Sequence, residues 1–336
     1  MHGWLVIDKP VGPGSTQIVS AVKRALREGG YPKAKVGHGG TLDPLASGVL
    51  PVALGEATKL AGRMLDSDKV YEFTIRFGEE TATLDAEGAV VARSEVRPAR
   101  DVVEAVLPRF TGEIEQVPPV YSALKVEGKR AYDLARAGAE VSLVSRKVRI
   151  FSLSVCVERS RDTPSSEVEN SSLGFDRQAP STSLGANGSS SSAVDDITLR
   201  AHVSKGTYIR SLARDIAHAL GTVGHVTLLR RLKAGPFTLG QAISLDKLGE
   251  LAMARELEQA LLPLTAGLDD IPALPVTPDQ ARALRQGRRL AGIAAKPGLH
   301  LATEGSVPVA LVELSEGELR PEIRVVRGFN LNEEGV

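Results

Sequence analysis

Between residues 36 and 58 the chain reads VGHGGTLDPLASGVLPVALGEAT, and this glycine-rich segment restricts the fold more than any other stretch. Its glycines lie around one carboxylate, Asp43, which is followed by Pro44. A residue before proline is kept out of the helical region, so the pair predicts an extended backbone that fixes the direction of the Asp43 side chain. Glycines on either side allow another backbone, or a substrate, to approach that carboxylate closely.

The chemistry of this segment has several possible explanations. It is not a phosphate loop, because the Lys and Ser or Thr required after the last glycine are missing. No second Asp, Glu or His follows at metal-ligand spacing, and the paired carboxylates of a glycosidase have no local support here. An ordinary glycine-rich turn that starts with Asp-Pro also remains open.

Composition sets the broad class. A chain of 336 residues with 42% hydrophobic and 24% charged residues is long enough for two globular domains. The single cysteine, Cys156, excludes an internal disulfide framework and a cysteine metal cluster, and the six histidines do not fall in a metal-ligand spacing. The first residues lack the pattern of a signal peptide, and no apolar run approaches the roughly 18 residues of a membrane span. These features predict a cytoplasmic protein with no membrane contact, and nothing indicates a self-complementary interface, so we expect a monomer.

Charge is unevenly distributed along the chain. The formal net charge is zero, which by itself argues against a nucleic-acid binder. Residues 199–235, however, carry seven Lys or Arg against one acid, and residues 123–149 carry seven against three. Such segments can be solvated faces, or they can attract a polyanion. Because both segments also contain tyrosines, binding of a nucleic acid remains an open possibility.

Periodicity predicts an α+β fold. Alternating runs such as KVYEFTIRF and DDITLRAHV indicate half-buried strands, and GSTQIVSAVKRALREGG indicates a helix with Ser15 or Thr16 as its cap and Gly29-Gly30 at its end. There is no regular strand-helix-strand rhythm, so we expect a central, largely antiparallel mixed sheet flanked by helices. Residues 262–278 are proline-rich and read as a linker, and the last 60 or so residues predict a small β-rich domain.

One segment has a different composition. Residues 159–194 are crowded with Ser, Gly, Asn and Pro and contain few large apolar residues. Such a sequence cannot bury enough surface to offset its ordering entropy. We therefore predict a disordered or loosely held insertion between two strands.

Several residues could accompany Asp43 in a site. Tyr208 and Arg210 begin the helix TYIRSLARDIAHALG, where an arginine could pair with a buried carboxylate and favour its ionised form. Taken singly, each also has a purely structural explanation: Arg210 could be a surface residue, and Tyr71 and Tyr208 could be core residues. His38 could likewise be a hydrogen-bonded loop residue, and HVTLLRRL would normally be an edge strand with two solvated arginines.

Taken together, these motifs are specific. HGWLVIDKPVG, VGHGGTLDPLASGVLPVALGEATKL, DKVYEFTIRFG, VPPVYSALKVEGKRAYDLAR, SKGTYIRSLARDIAHALG and HVTLLRRL occur in the order found in the TruB family of bacterial tRNA pseudouridine-55 synthases, which this sequence resembles from residue 3 to about 263. The stretch GLDDIPALPVTPDQARALRQGRRL more loosely resembles the start of that family's PUA-like RNA-binding domain. The resemblance implies a pseudouridine synthase domain over residues 1–268, with 159–194 as an insertion, and a PUA-like domain over 269–336.

The resemblance also implies an activity. Enzymes of this family isomerise one uridine in the T-arm of tRNA to pseudouridine, with a flipped base and without a metal or organic cofactor. Asp43 matches the catalytic aspartate, which either attacks C1′ or removes a ribose proton. Arg210 is suited to pair with it.

The remaining residues match substrate contacts in the family. Tyr71 matches the tyrosine that stacks on the target base and is placed to assist proton removal from C5. Tyr208 and Leu229 match residues of the base pocket, and His38 matches a contact to the RNA around the extruded nucleotide. No obligate protein partner is implied. Two departures from the pattern are Gly14, where relatives carry Thr or Ser, and the length of the insertion.

Two other readings remain open. One is the archaeal and eukaryotic relative that works with guide RNA and protein partners, and the N-terminus close to GWLVIDKP favours the stand-alone enzyme over it. The other is an RNA-binding or tRNA-folding module without catalysis, against which the presence of Asp43, Tyr71 and Arg210 argues.

Overall fold

A computed structural model describes residues 1–122, 124–126, 128–137, 143–156, 192–293, 295–315 and 322–331. The strands in chain order are β1 (Gly3–Lys9), β2 (Val36–His38), β3 (Ser47–Leu54), β4 (Lys69–Phe77), β5 (Glu79–Thr81), β6 (Val90–Arg93), β7 (Gly112–Gln116), β8 (Lys125–Val126), β9 (Lys129–Arg130), β10 (Arg146–Val155), β11 (Asp196–Val203), β12 (Gly224–Ala234), β13 (Phe237–Thr238), β14 (Ala273–Pro275), β15 (Leu290–Ala291), β16 (Gly298–Glu304), β17 (Val307–Ser315) and β18 (Glu322–Gly328). The α-helices are α1 (Ser15–Glu28), α2 (Ala61–Asp66), α3 (Arg100–Val106), α4 (Ala131–Arg136), α5 (Ile209–Ala219), α6 (Leu245–Ala254) and α7 (Pro278–Arg285). Short 3-10 segments cover Gly55–Leu60, Leu107–Phe110, Leu239–Gln241, Leu257–Ala260 and Leu264–Gly267.

The large sheet has the strand order β1-β3-β12-β4-β11-β10-β7, with β2 paired to β3 and β13 paired to β12. Neighbouring strands are antiparallel except β3 and β12, which run parallel where Ser47 faces Arg230. The predicted central, largely antiparallel mixed sheet is thereby confirmed. HVTLLRRL was expected to be an edge strand, but β12 lies between β3 and β4. Its backbone N–H and C=O groups are therefore paired with strands on both sides.

Helices α1 and α5 cover one face of this sheet. Ile18 and Val22 of α1 and Leu212 and Ile216 of α5 are fully buried in the same core cluster as Phe73 of β4. Both helices carry apolar residues three or four positions apart, which places them on a single face. The core therefore holds α5 against the sheet, and with it Tyr208 and Arg210 at the start of the helix.

The start of α1 differs from its prediction. Its N-cap is Gly14, whose backbone N–H donates to the Gln17 side chain at 2.6 Å. Ser15 is instead the first helical residue and is buried. The predicted end is confirmed, because Gly29 is the C-cap and Gly30 has φ +70°.

The C-terminal residues form a second, five-stranded sheet in the order β14-β16-β17-β18-β15, which confirms the predicted β-rich domain. Helix α7 packs on it through Ala281 and Leu284, in a core with Val309 and Val312. A separate apolar cluster joins this sheet to the large one, and its members include Trp4 of β1 and Phe329, which follows β18. The Trp4 indole N–H donates to the Leu264 carbonyl at 3.2 Å.

The proline-rich segment 262–278 is therefore not a free linker. Leu264 and Leu268 are buried in the joining cluster, and β14 pairs in parallel with β16. The prolines suggested a linker, but the apolar residues between them pack against the rest of the protein.

The predicted insertion, 159–194, lies mostly outside the described residues. Its last residues, 192–194, are described: Ala193 forms an isolated bridge with Ala99, and the Val194 N–H donates to the Pro98 carbonyl at 2.9 Å. Within the described ranges, no helix is long and apolar enough to cross a membrane.

Candidate active site

The loop that carries Asp43 connects β2 to β3. Gly48 has φ +99°, and a Cβ there would lie 2.2 Å from the Arg231 carbonyl oxygen. Gly39 would place a Cβ 2.7 Å from the Met64 side chain. These two glycines therefore serve close packing of the protein against itself, because any side chain would force the neighbouring elements apart.

Buried donors hold the Asp43 loop from several sides. Ser15 Oγ accepts from the Leu42 N–H at 2.7 Å and donates to its carbonyl at 3.1 Å, which explains why Ser15 does not cap its own helix. Lys9 Nζ donates to the carbonyl oxygens of Pro44 at 3.3 Å and Ala46 at 2.5 Å. The backbone on both sides of Asp43 is thus pinned to the core.

Arg231 holds the preceding part of the same loop. Its guanidinium donates to the carbonyl oxygens of Val49 at 2.8 Å, Thr41 at 3.3 Å and Gly40 at 3.2 Å. Its side chain is almost fully buried, so it is not the solvated arginine that the HVTLLRRL pattern predicted. Nothing in the local sequence distinguishes it from Arg230, which forms a partly exposed ion pair with Asp8 at 2.8 Å.

Arg210, in the first turn of α5, pairs with Asp43. Its Nη2 lies 2.8 Å from Asp43 Oδ2, and its Nη1 lies 3.1 Å from Asp85 Oδ2. The side chains of Arg210 and Asp85 are 7% and 4% exposed, whereas that of Asp43 is 41% exposed. Arg210 therefore links a buried carboxylate to one that faces open space.

Backbone carbonyls complete the surroundings of this guanidinium. Nη1 donates to the Thr83 carbonyl at 2.8 Å, and Nη2 donates to the Tyr121 carbonyl at 3.0 Å. Asp85 also accepts the Glu87 N–H at 3.1 Å, which orients its carboxylate. Sequence reasoning missed Asp85, because an acid in the turn TLDAEG carries no signal of a partner 125 residues away.

A cavity of about 280 Å³ opens over this pair. Tyr71, Tyr208 and Leu229, which were predicted to contact the target base, line the cavity together with Asp43 and Arg210. His38 is not among the lining residues. The cavity wall also includes three cations that sequence reasoning did not single out: Lys69, Arg146 and Arg231.

The two tyrosines are held by different parts of the sheet. Tyr71 lies in β4, opposite Ala201 of β11 and Arg231 of β12. Tyr208 is the N-cap of α5, and the buried Gln116 side chain accepts from its N–H at 2.8 Å and donates to its carbonyl at 3.1 Å. That two-point contact fixes the start of α5 relative to β7.

His38 lies at the end of β2, before the loop. Its Nδ1 accepts the Gly40 N–H at 3.4 Å. Burial, together with the nearby charge of Arg231, lowers the pKa of His38 below its ordinary value. A neutral imidazole is the form that can accept this hydrogen bond.

Two lysines around the cavity are also perturbed. Burial lowers the pKa of Lys69 to about 8, and the nearby Arg231 charge acts in the same direction. Burial lowers the pKa of Lys9 to about 8 as well, against the opposing influence of Asp43. Within the described part of the chain, no three His, Cys, Asp or Glu side chains are grouped as metal ligands.

Comparison with known proteins identifies the family. Residues 27–172 match the model of the TruB family pseudouridylate synthase N-terminal domain, and residues 210–269 match the tRNA pseudouridylate synthase B C-terminal domain. The tRNA pseudouridine synthase B of Novosphingobium aromaticivorans is 58% identical over 333 residues, which cover 99% of both chains. That of Zymomonas mobilis is 58% identical over 330 residues, covering 98% of this chain and 96% of the relative.

Solved structures show the same fold. A Cbf5-Nop10-Gar1 complex contains a chain with a TM-score of 0.66 and 25% identity, covering 99% of this chain and 86% of the other. An H/ACA RNP bound to a substrate RNA containing 2'-deoxyuridine contains a chain with a TM-score of 0.66 and 24% identity. The match covers 98% of this chain and 86% of the other. The fold is that of a pseudouridine synthase. This chain belongs to the TruB family of pseudouridylate synthases.

Proposed function

We propose that this protein converts uridine 55 in the T-arm of tRNA to pseudouridine, with a flipped base, with Asp43 as its catalytic group and without a cofactor. The observation that carries the proposal is the Asp43–Arg210 ion pair in a cavity lined by Tyr71, Tyr208 and Leu229. Support for the substrate comes from full-length relatives named tRNA pseudouridine synthase B.

The reaction needs one carboxylate because nothing is hydrolysed. The N1–C1′ bond breaks, the freed uracil turns, and a C5–C1′ bond forms while the C5 proton leaves and N1 gains a proton. Asp43 either attacks C1′ or removes a ribose proton, and both roles need an ionised carboxylate. Arg210 orients that carboxylate, because one of its nitrogens is directed at Asp43 and the rest of its guanidinium is held in place.

The cavity wall suits a nucleotide turned out of the helix. Tyr71 would stack on the uracil and assist proton removal from C5, and Tyr208 and Leu229 would enclose the base. Flipping costs a few kcal/mol of lost stacking, which such contacts offset. His38 lies outside the cavity lining, so its assigned contact is with RNA around the extruded nucleotide rather than with the base.

The domain assignment is part of the same proposal. Residues 1–268 would form the catalytic domain, and residues 269–336 would form a PUA-like domain that binds RNA. Three of the four arginines in ARALRQGRRL pair with acids: Arg282 with Asp279, Arg285 with Glu304, and Arg289 with Glu322. Within this stretch, Arg288 is the arginine without an acidic partner among the described residues, so we expect it to be the one most available to a phosphate.

We further propose that the protein acts without a guide RNA or an obligate protein partner. Its 58% identity to tRNA pseudouridine synthase B, against 25% to the chain in the Cbf5-Nop10-Gar1 complex, favours the stand-alone enzyme. A catalytically silent RNA-binding or tRNA-folding module is the other candidate. The ordered Asp43–Arg210 pair favours catalysis over that module alone.

One experiment tests these points together. The purified chain is incubated with an unmodified tRNA transcript, without guide RNA or added cofactor, and pseudouridine is mapped along the product. We expect modification at uridine 55 alone. Modification at another position would refute the site specificity, and binding without any pseudouridine would favour the RNA-binding module.

A further inference from the structure

Four cationic side chains line the cavity: Lys69, Arg146, Arg210 and Arg231. Lys69 Nζ donates to the carbonyls of Met64 at 2.9 Å, Leu65 at 2.8 Å and Ser67 at 2.5 Å, which uses its three N–H groups.

Two of the arginines are occupied in the same way. Arg231 donates to three carbonyls from its three nitrogens. Arg210 is shared between two carboxylates and two carbonyls. These cations hold the protein's own backbone and acids, so they have little capacity left for a ligand.

Arg146 is different. It starts β10 on the side of the buried Val148 and Ile150, and one of its Nη atoms donates to the Gly206 carbonyl. Its Nε is shielded from water and has no hydrogen-bond partner among the described residues. No carboxylate within the described ranges forms an ion pair with it.

The Arg146 guanidinium lies over the Tyr208 ring, with Cζ 4.8 Å from the ring centroid. This stacking fixes the plane of the guanidinium beside the predicted base pocket. A desolvated donor without an acceptor is costly. A phosphate in the cavity would meet the Nη side of the guanidinium first, because Nε is shielded as the side chain stands. A planar guanidinium with free donors matches the geometry of a phosphate.

We propose that Arg146 binds a backbone phosphate of the target uridine, at the linkage on its 5′ or 3′ side. The inference rests on the proposed function and extends it to a substrate-binding residue. Uracil is neutral and would be enclosed by Tyr71, Tyr208 and Leu229, whereas each flipped nucleotide brings a phosphate along with it. Arg146 then positions the ribose while Asp43 acts on it.

The test is a double-mutant cycle on a T-arm hairpin. Three hairpins are compared: one with all phosphates, and two with a single neutral methylphosphonate on the 5′ or the 3′ side of the target uridine. The proteins are the wild type, Arg146→Gln, Arg146→Lys and the control Arg24→Gln, which removes the same charge from an exposed position of α1 outside the cavity lining. Thermal unfolding checks that each variant is folded.

On the all-phosphate hairpin, we expect Arg146→Gln to raise KM about tenfold to a hundredfold, as for loss of a hydrogen bond to a charged group, with kcat within about threefold. Arg146→Lys should give an intermediate KM. Arg24→Gln should match the wild type. The slope of log affinity against log salt should fall by about 0.7 to 0.9 in Arg146→Gln, because one fewer counterion is released.

With the methylphosphonate at the linkage that Arg146 contacts, the affinity of the wild type should fall to about that of Arg146→Gln on the all-phosphate hairpin. The affinity of Arg146→Gln should not fall further with that substitution. Additive losses at both linkages, or a KM for Arg146→Gln within about twofold of the wild type, would overturn the assignment of Arg146. If Arg146→Gln does not fold, the cycle is run with Arg146→Lys. Fully additive losses of affinity at both linkages in that variant would likewise overturn the assignment of Arg146. A wild type that makes no pseudouridine from a tRNA transcript or the all-phosphate hairpin would instead refute the proposed function.

Discussion

Arg210 Nη2 lies 2.8 Å from Asp43 Oδ2, and this contact joins the first turn of α5 to the loop between β2 and β3. The arginine is buried while the aspartate is partly open, so one end of the pair is anchored and the other is available to a substrate. Pairing of this kind orients a carboxylate without using both of its oxygens.

Asp43→Asn should abolish pseudouridine formation and leave tRNA affinity nearly unchanged. The amide keeps the size and shape of the side chain, but it is neither a nucleophile nor a base at neutral pH. Single-turnover assays and filter binding on one transcript separate the two effects. The matched control is Asp246→Asn, at an exposed position of α6, which should behave as the wild type. A comparable turnover rate in Asp43→Asn would show that another group performs the chemistry.

Asp85→Asn should weaken both stability and catalysis. Removing one partner of a buried ion pair leaves the Arg210 charge poorly compensated, so we expect a loss of about 3 kcal/mol in the free energy of unfolding. Displacement of Arg210 from Asp43 should slow turnover by about tenfold or more. Urea unfolding and single-turnover rates measure the two.

The control for Asp85 is Asp196→Asn. Asp196 pairs with Arg76 at 3.0 Å, but both side chains are well exposed, at 40% and 52%. Exposed pairs contribute at most about 1 kcal/mol, so this variant should lose little. Equal losses in the two variants would mean that the buried position of Asp85 has no special effect.

His38 should make stability depend on pH below about 6.5, the ordinary histidine pKa. Its folded-state pKa is lowered by burial, so as pH falls the unfolded chain takes up a proton before the native one does. The free energy of unfolding should therefore decrease from pH 6.5 downward, until the native imidazole is also protonated. In His38→Gln this part of the decrease should be absent when urea unfolding is compared between pH 7.5 and 5. Parallel pH profiles for the two proteins would contradict the prediction.

Phe329→Ala should lower the free energy of unfolding by about 3 kcal/mol, because Phe329 is 1% exposed and fills the cluster between the two sheets. The control is Val326→Ala in β18, where the side chain is 51% exposed and the change should stay within about 0.5 kcal/mol. Equal effects would show that the contact between the sheets adds nothing to stability. The same cluster makes truncation after residue 268 a poor test of RNA binding, because it would remove the cluster members contributed by the second sheet, such as Leu301, Leu311 and Phe329.

Deleting residues 160–191 and closing the gap with an Asn-Gly turn should preserve folding and most activity. The flanking strands are antiparallel neighbours: Val155 faces Leu199, and the Cys156 N–H donates to the Thr198 carbonyl at 2.8 Å. The deletion keeps Ala193 and Val194, whose backbones contact residues 98 and 99. Thermal unfolding and the rate at saturating tRNA report the outcome. A collapse of either would assign the insertion a structural or catalytic role.

Much of this protein could be predicted from local pattern. The alternation in KVYEFTIRF and DDITLRAHV marked β4 and β11, and the apolar spacing in TYIRSLARDIAHALG marked α5. The order of the motifs identified the family, and Pro44 indicated that Asp43 has a fixed direction. The strands, the helix and the direction of Asp43 follow from residues within a few positions of one another, where propensity and periodicity act directly.

The tertiary structure decided the rest. Asp85 becomes a partner of Arg210 only because the turn between β5 and β6 lies against β12, where Asp85 forms an isolated bridge with Val226. Gly48 is needed only because β12 runs parallel beside β3. Arg230 and Arg231 are adjacent in sequence, yet one forms a surface ion pair and the other is buried under the Asp43 loop, because successive residues of a strand point to opposite faces. Which face is covered, and by what, depends on contacts between residues far apart in the chain, and no local pattern contains that information.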